Sequence, residues 1–380
     1  MQAHGNLAAM LSNAFLRLSF LSLIALAASS SAVSAEDAAN PSASSPLKTR
    51  RGEWVNISES LLTNLARQGV QPKIKFKYDS TNGAGVCGIL VDRSLPNPWI
   101  VIHGQGVWKP GGGAGIAFER VDGGKYDGYY ENAGPDIDPE GRGLCLFSIQ
   151  GWTTNSTCAL TRDGGKTWNS LTTDDHAFGY DVGAVDWAGG GMTILAKKHH
   201  NGDLVLSRDG GQTWTLLGKG ESKIAVLGLI GADVLIKGVK GTNSSELFRS
   251  TDAGQTWVKV ADCQFNRIGH VVVFHGVAYL TTQTGVLVSR DRGEHWSLPG
   301  QECSGLRGPV MFGKDDQHLV VYGAGGFSES KDGGRTWTLA VSFGEDPALR
   351  TGRFEYGIWN PGDNSFYITH IAGQAFRYER

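Results

Sequence analysis

The strongest constraint in this chain is an octapeptide that occurs five times. It reads TRDGGKTW at Thr161–Trp168, SRDGGQTW at Ser207–Trp214, STDAGQTW at Ser250–Trp257, SRDRGEHW at Ser289–Trp296 and SKDGGRTW at Ser330–Trp337. The aspartates are Asp163, Asp209, Asp252, Asp291 and Asp332, so the copies follow one another at 46, 43, 39 and 41 residues. A period of this length filled with short β-type segments predicts propeller blades, each of which buries its faces only against its neighbours. The residue types suit a hairpin turn. An aspartate accepts backbone N–H bonds within a tight turn, the glycine before the variable position takes positive φ, and the hydroxyls tie the turn ends together. The closing tryptophan then opens a strand and buries a large ring against the adjacent sheet. These aspartates therefore read as structural, since acid–base chemistry needs two convergent groups and the turns are spread one per blade.

Short apolar or alternating segments recur in the same order between the turns. In one repeat they are Gly183–Val185, Met192–Ala196, Leu204–Ser207 and Trp214–Leu217; in the next, Ala225–Leu229, Val234–Lys237, Leu247–Ser250 and Trp257–Val260; then Val271–Phe274, Ala278–Thr281, Val286–Ser289 and Trp296–Leu298. Bounded by Gly, Asp and Asn, they predict four-stranded blades. The only amphipathic helix signal is Ser58–Gln68. Two degenerate copies extend the count. Gly111–Phe118 (GGGAGIAF) stands where a turn belongs, with Phe118 in place of the tryptophan; it lacks the Lys-Ser/Thr of a phosphate loop. Trp54 opens an outermost strand with no blade before it, while Ser365–Arg380 supplies inner strands with no outer strand after them. Pairing the two closes the ring and removes its exposed edges. The anchors are then Trp54, Phe118, Trp168, Trp214, Trp257, Trp296 and Trp337, and the 327 residues from Trp54 onward give about 47 per blade. The expected fold is all-β, one seven-bladed propeller over residues 51–380, with six blades as the alternative if Gly111–Phe118 is not a turn. Glycine, at 54 of 380 residues, and tryptophan, at 11, are thereby explained by turns and anchors.

The octapeptide resembles the Asp box, or BNR repeat, found in sialidases, xyloglucan-degrading propellers, sortilin-type receptors and a photosystem assembly factor. The resemblance covers nearly all of the chain after residue 50 and implies the propeller; the families that share it do different jobs. Two departures bear on enzyme function. The Phe/Tyr-Arg-Ile-Pro segment that supplies the first arginine of sialidases does not occur. Where xyloglucan-degrading propellers carry a catalytic Asp, this chain has His103–Trp108 (HGQGVW), with no acid.

Residues 1–35 read as a cleaved export signal, with Arg17, the apolar run Leu18–Ala28, and Val33-Ser34-Ala35 before Glu36. Residues 36–50 read as a flexible tether. The expected location is secreted or periplasmic, with no membrane contact after cleavage. Lys+Arg at 35 against Asp+Glu at 37 leaves no basic excess for a phosphate backbone, so nucleic acid is not an expected partner. An exported chain can form disulfides. Among the five cysteines, the expected pairs are Cys145–Cys158 and Cys263–Cys303, with Cys87 left over; five buried thiols are the alternative.

The octapeptide turns join third and fourth strands on one face, so a ligand site is expected on the opposite face, over the central channel. The candidates there are Tyr126, Tyr129, Tyr130, His176, Tyr180, Asp181, Arg267, His270, Arg307, Arg353, Glu355 and Tyr356. Tyrosines stack on sugar faces, and three arginines at similar blade positions would hold a carboxylate. Loop packing and surface ion pairs explain the same residues without a ligand. For a double-carboxylate glycosidase, Asp181 and Glu355 are the least unsuitable pair. Asp136-x-Asp138-Pro-Glu140 begins like a calcium loop, but Phe147 stands where the bidentate Glu belongs, and a strand end followed by a turn explains it. No metal and no cofactor are expected. The expected function is an exported, monomeric propeller that binds a carbohydrate, with hydrolysis left open. The alternative is a non-enzymatic interaction or assembly propeller of the cell envelope.

Overall fold

The computed structural model describes residues 50–70, 86–91, 98–102, 105–110, 118–124, 126, 135–141, 143–147, 158–171, 179–242, 244–265, 269–345, 349, 354–370 and 374–380. They form seven antiparallel sheets arranged as a β-propeller, with one helix. The third blade shows the pattern: Tyr180–Val185 innermost, then Ile194–Lys198, Leu204–Ser207 and Thr215–Gly218. Blades 1, 2, 4 and 6 repeat that order, beginning at Val86, Asp136, Ile224 and Met311. In blade 5 the outer strand shrinks to one bridge, Val288 to Ser297. Pro299 follows two residues later and has no N–H to extend the ladder. Gly269 and His270, which lead into blade 5, pair in parallel with Val226 and Leu227 of blade 4.

Blade 7 is made from both ends of the described chain. Phe354–Asn360, Ser365–His370 and Ala375–Glu379 take Trp54–Asn56 as their outer strand, with Trp54 opposite Tyr378 and Asn56 opposite Phe376. The helix follows directly, over Ser58–Arg67. Its first residue is bound to the closing blade, because the Ala375 N–H donates to Ser58 Oγ at 2.7 Å. Its far end is bound to blade 1: Gln68 Nε2 donates to the Phe118 carbonyl at 2.6 Å, and Phe118 N–H donates to Gln68 Oε1 at 3.0 Å. Leu61 and Leu65 on its inner face are fully buried.

The core is divided into seven apolar clusters, one at each blade-to-blade interface. Each anchor enters the cluster between its own blade and the preceding one. Phe118 packs where blade 1 meets blade 7, Trp168 where blade 2 meets blade 1, and Trp214 where blade 3 meets blade 2. Trp257, Trp296, Trp337 and Trp54 fill the remaining four in the same way. Trp54 and Phe118 open their outer strands as predicted, whereas Trp168, Trp214, Trp257 and Trp337 precede theirs, which begin at Asn169, Thr215, Val258 and Thr338. In three of the turns the indole N–H closes back on the turn: Trp257, Trp296 and Trp337 donate to the carbonyls of Gly254, Gly293 and Gly334, each at 3.1 Å.

The two expected disulfides are not formed. Cys145, Cys158, Cys263 and Cys303 are free thiols. Cys145 pairs opposite Leu160, not Cys158, and both thiols pack as small apolar groups in the interface of blades 2 and 3. Cys263 belongs to the cluster between blades 4 and 5 and Cys303 to that between blades 5 and 6, so the two face different interfaces. The Cys87 side chain and residues 111–117 lie outside the described set. Among the described residues, no helix is long and apolar enough to cross a membrane.

Candidate functional site

The five octapeptide aspartates are committed to their own turns. In blade 3, Ser207 Oγ donates to Asp209 Oδ1 at 2.8 Å and accepts the Gly211 N–H at 2.8 Å. Asp209 Oδ1 also accepts the Thr213 N–H at 2.9 Å, and Oδ2 accepts the Thr213 hydroxyl at 2.6 Å. The turns of Asp163, Asp252 and Asp332 repeat this set, and in the turn of Asp291 the His295 ring replaces the threonine hydroxyl. The threonine hydroxyl and N–H hold the carboxyls of Asp209, Asp252 and Asp332 down to about 2. Groups so fully satisfied and so acidic are unsuited to proton transfer at neutral pH.

Of the residues expected at the opposite face, two come together. His270, leading into blade 5, and Tyr356, on the inner strand of blade 7, both line a cavity in the central channel. The cavity has about 60 Å³ of room for water-sized groups. Its walls are mostly apolar, with Val272, Met311 and Ile358 typical, and Asp138 and Trp359 nearer the octapeptide face. Trp359 is set in place by its N–H to the Met311 sulfur and by its indole N–H to Asn364 Oδ1 at 3.2 Å. Burial pushes the Tyr356 hydroxyl pKa far up, so it is present as the neutral phenol.

The other candidates are placed differently. Tyr126 and Tyr180 have no exposed surface, so they are packing residues and not platforms for a sugar. Tyr126 is drawn inward because its N–H donates to Asp122, itself clamped by Arg120. Tyr180 lies in the cluster of blades 2 and 3, with its ring 5.0 Å from that of Trp214. Asp181 is held by Lys197 Nζ at 2.8 Å and by the His199 ring. Arg307 is exposed, and only its backbone is tied, to the Tyr322 carbonyl. Tyr129, Tyr130, His176, Arg267, Arg353 and the Glu355 side chain lie outside the described residues. Among those described, no three His, Cys, Asp or Glu side chains are grouped to hold a metal ion.

The strand end and turn read at Asp136–Glu140 are present, with Asp136–Ile137 a strand and Asp138 in the turn after it. Asp136 opens the inner strand of blade 2, and its carboxylate turns toward blade 3, not toward a cation loop. Oδ2 accepts the Val185 N–H at 2.6 Å, Oδ1 accepts the Trp187 indole N–H at 3.0 Å, and His270 Nε2 lies 3.5 Å from Oδ1. Burial pushes its carboxyl up, opposed by His270 and by the two donors. Asp138 instead caps its own turn, accepting the Glu140 N–H at 3.0 Å.

No family model matches the chain, and no curated protein matches it. Solved structures do. A GH74 xyloglucanase from Xanthomonas campestris superposes with a TM-score of 0.53 at 17% identity, over 78% of this chain and 43% of that one. The chain thus spans less than half the length of that enzyme. A nidogen/laminin complex matches at a TM-score of 0.39 and 9% identity, over 65% of this chain and 79% of that one. At such identities the first likeness speaks to architecture alone, and it agrees with the sheets and interfaces above: the chain folds as a seven-bladed β-propeller.

Proposed function

We propose that this chain is an exported propeller of the Asp-box type that binds a carbohydrate over the mouth of its central channel, on the face opposite the octapeptide turns. The observation that carries the reading is the convergence of His270 and Tyr356, from blades 5 and 7, on one channel cavity with apolar and aromatic walls. Such a lining offers CH–π and apolar contact to a sugar face and a few polar groups to orient it. The turn aspartates support the choice of face, since their chemistry is spent within the turns.

Binding without hydrolysis is the form of the reading favoured here. Glycoside hydrolysis needs two carboxyls on opposite sides of one bond. Among the described carboxylates, Asp138 alone lines the cavity, Asp136 stands behind its wall, and Asp181 is engaged by Lys197 and His199. The test is a binding and turnover screen of residues 36–380 against neutral and acidic glycans. Binding of a glycan that protects the channel supports the reading; no binding and no turnover across the panel refutes it. A second reading, a protein-docking propeller of the cell envelope, draws on Val258, Leu339 and Leu216. These are 66%, 59% and 46% exposed on outermost strands, and recovery of the chain in a stable envelope complex that their polar variants disrupt would favour it.

A further inference from the structure

His270 and Asp136 belong to different parts of the ring. The His270 backbone is fixed by its parallel pairing with Leu227 of blade 4. Its ring reaches toward blade 2, where Nε2 stands 3.5 Å from Asp136 Oδ1. Asp136 does not depend on that contact. Val185 N–H and the Trp187 indole hold both of its oxygens from blade 3. A fixed carboxylate therefore faces an imidazole at a distance too long for a hydrogen bond, and the ring is oriented without being locked. His270 lines the cavity and Asp136 does not, so the ring stands between the carboxylate and whatever enters.

We propose that Asp136 is a positioning residue that presents His270 to a hydroxyl that a neutral sugar, bound over the channel mouth, directs into the cavity, and that it makes the cavity select against anionic groups. The inference rests on the carbohydrate reading above and narrows it. The other titratable groups facing Asp136 are Asp138 from the blade 2 turn, the Cys145 thiol from the next strand and the Tyr356 hydroxyl from blade 7. None of them is a cation, and among the described residues no Lys or Arg lines the cavity. A carboxylate entering there would meet Asp138 on the wall and Asp136 behind it in a poorly solvated space, where like charges repel strongly. A hydroxyl can both donate to and accept from an imidazole, so it suits the ring in either tautomer.

The test uses residues 36–380 with 15N-labelled histidine and two probes, methyl β-glucoside and methyl β-glucuronide. They differ at one carbon, hydroxymethyl against carboxylate. The glucoside is expected to shift the His270 ring resonances and to bind at least about tenfold more tightly than the glucuronide, the factor expected of one nearby like charge. Asp136→Asn is expected to bring the two within about threefold and to change the His270 tautomer, a signature that a packing role would not produce. The circular dichroism spectrum reports whether that variant folds; if it does not, the wild-type selectivity and the His270 shift decide the matter. Equal binding of the two glycosides, or glucoside binding that leaves His270 unmoved, overturns the inference and leaves the carbohydrate reading standing. Binding of neither overturns both.

Discussion

Gly164 and Gly165 are adjacent in the blade 2 turn, and both have positive φ, 67° and 79°. A side chain at either pays the left-handed penalty, about 1 kcal/mol. Their surroundings differ. A Cβ on Gly164 would meet nothing within 4 Å, whereas one on Gly165 would stand 2.6 Å from Cη2 of Trp99. Trp99 is 5% exposed in the cluster between blades 1 and 2, so it has no open side to retreat to. Overpacking of this kind adds about 1–3 kcal/mol. Gly164→Ala is thus expected to cost about 1 kcal/mol and Gly165→Ala about 2–4 kcal/mol.

The assay is urea unfolding followed by tryptophan fluorescence, read as the midpoint at an unchanged slope. The chain already contains part of this experiment. Ala253 and Arg292 occupy the first of the two positions in their turns, at φ 58° and 61°, while the second position is glycine in all five copies. Ala253→Gly should accordingly stabilise the protein by about 0.5–1 kcal/mol. Equal losses for Gly164→Ala and Gly165→Ala would refute the reasoning, because the second glycine would then be kept for its backbone alone and not for the ring stacked on it.

The turn carboxyls set the acid limit. Because those of Asp209, Asp252 and Asp332 are lowered from 3.8 to about 2 on folding, their contribution is complete above 3.8 and is lost as the pH falls through about 2. Thr213→Val, which removes one of the bonds holding Asp209, should therefore move the acid unfolding midpoint upward in circular dichroism. Asp136 acts with the opposite sign: its raised carboxyl contributes stability that is complete below 3.8 and is lost as the pH rises through its folded value, so Asp136→Asn should flatten the stability profile on that side. Trp54→Ala empties the ring's closing interface and breaks the indole bond to the Ser342 carbonyl at 2.9 Å, and should cost about 3 kcal/mol or more in thermal unfolding. Alkylation of the unfolded chain without reductant should label at least Cys145, Cys158, Cys263 and Cys303; protection of any pair would contradict their free state.

The architecture was legible because each of its determinants is local. A turn motif, a glycine with positive φ and a large ring a few residues later are read within eight residues, and the ring's destination follows from blade order. Phe118 could be counted as an anchor without its turn residues, since it opens an outer strand and enters the interface that the series leaves for it. The closing strand was legible for a similar reason: Trp54 lacked a preceding blade and Ala375–Glu379 lacked an outer partner. The channel was not legible, because its contents depend on which inner-strand side chains point at one another across the ring. The strand end and turn at Asp136–Glu140 could be read locally, but not that the Asp136 carboxylate would be held by Val185 and Trp187 of the next blade. Tyr126 and Tyr180 failed as sugar platforms on similar grounds, since a rim tyrosine beside a blade interface gains more by burying its ring there than by waiting in solvent. His270 is the instructive exception. It was singled out as a loop residue ahead of blade 5, but its place is set by a parallel pairing to blade 4 and by a carboxylate that blade 3 holds in blade 2. Four blades thus fix one imidazole, and no window of sequence contains more than one of them.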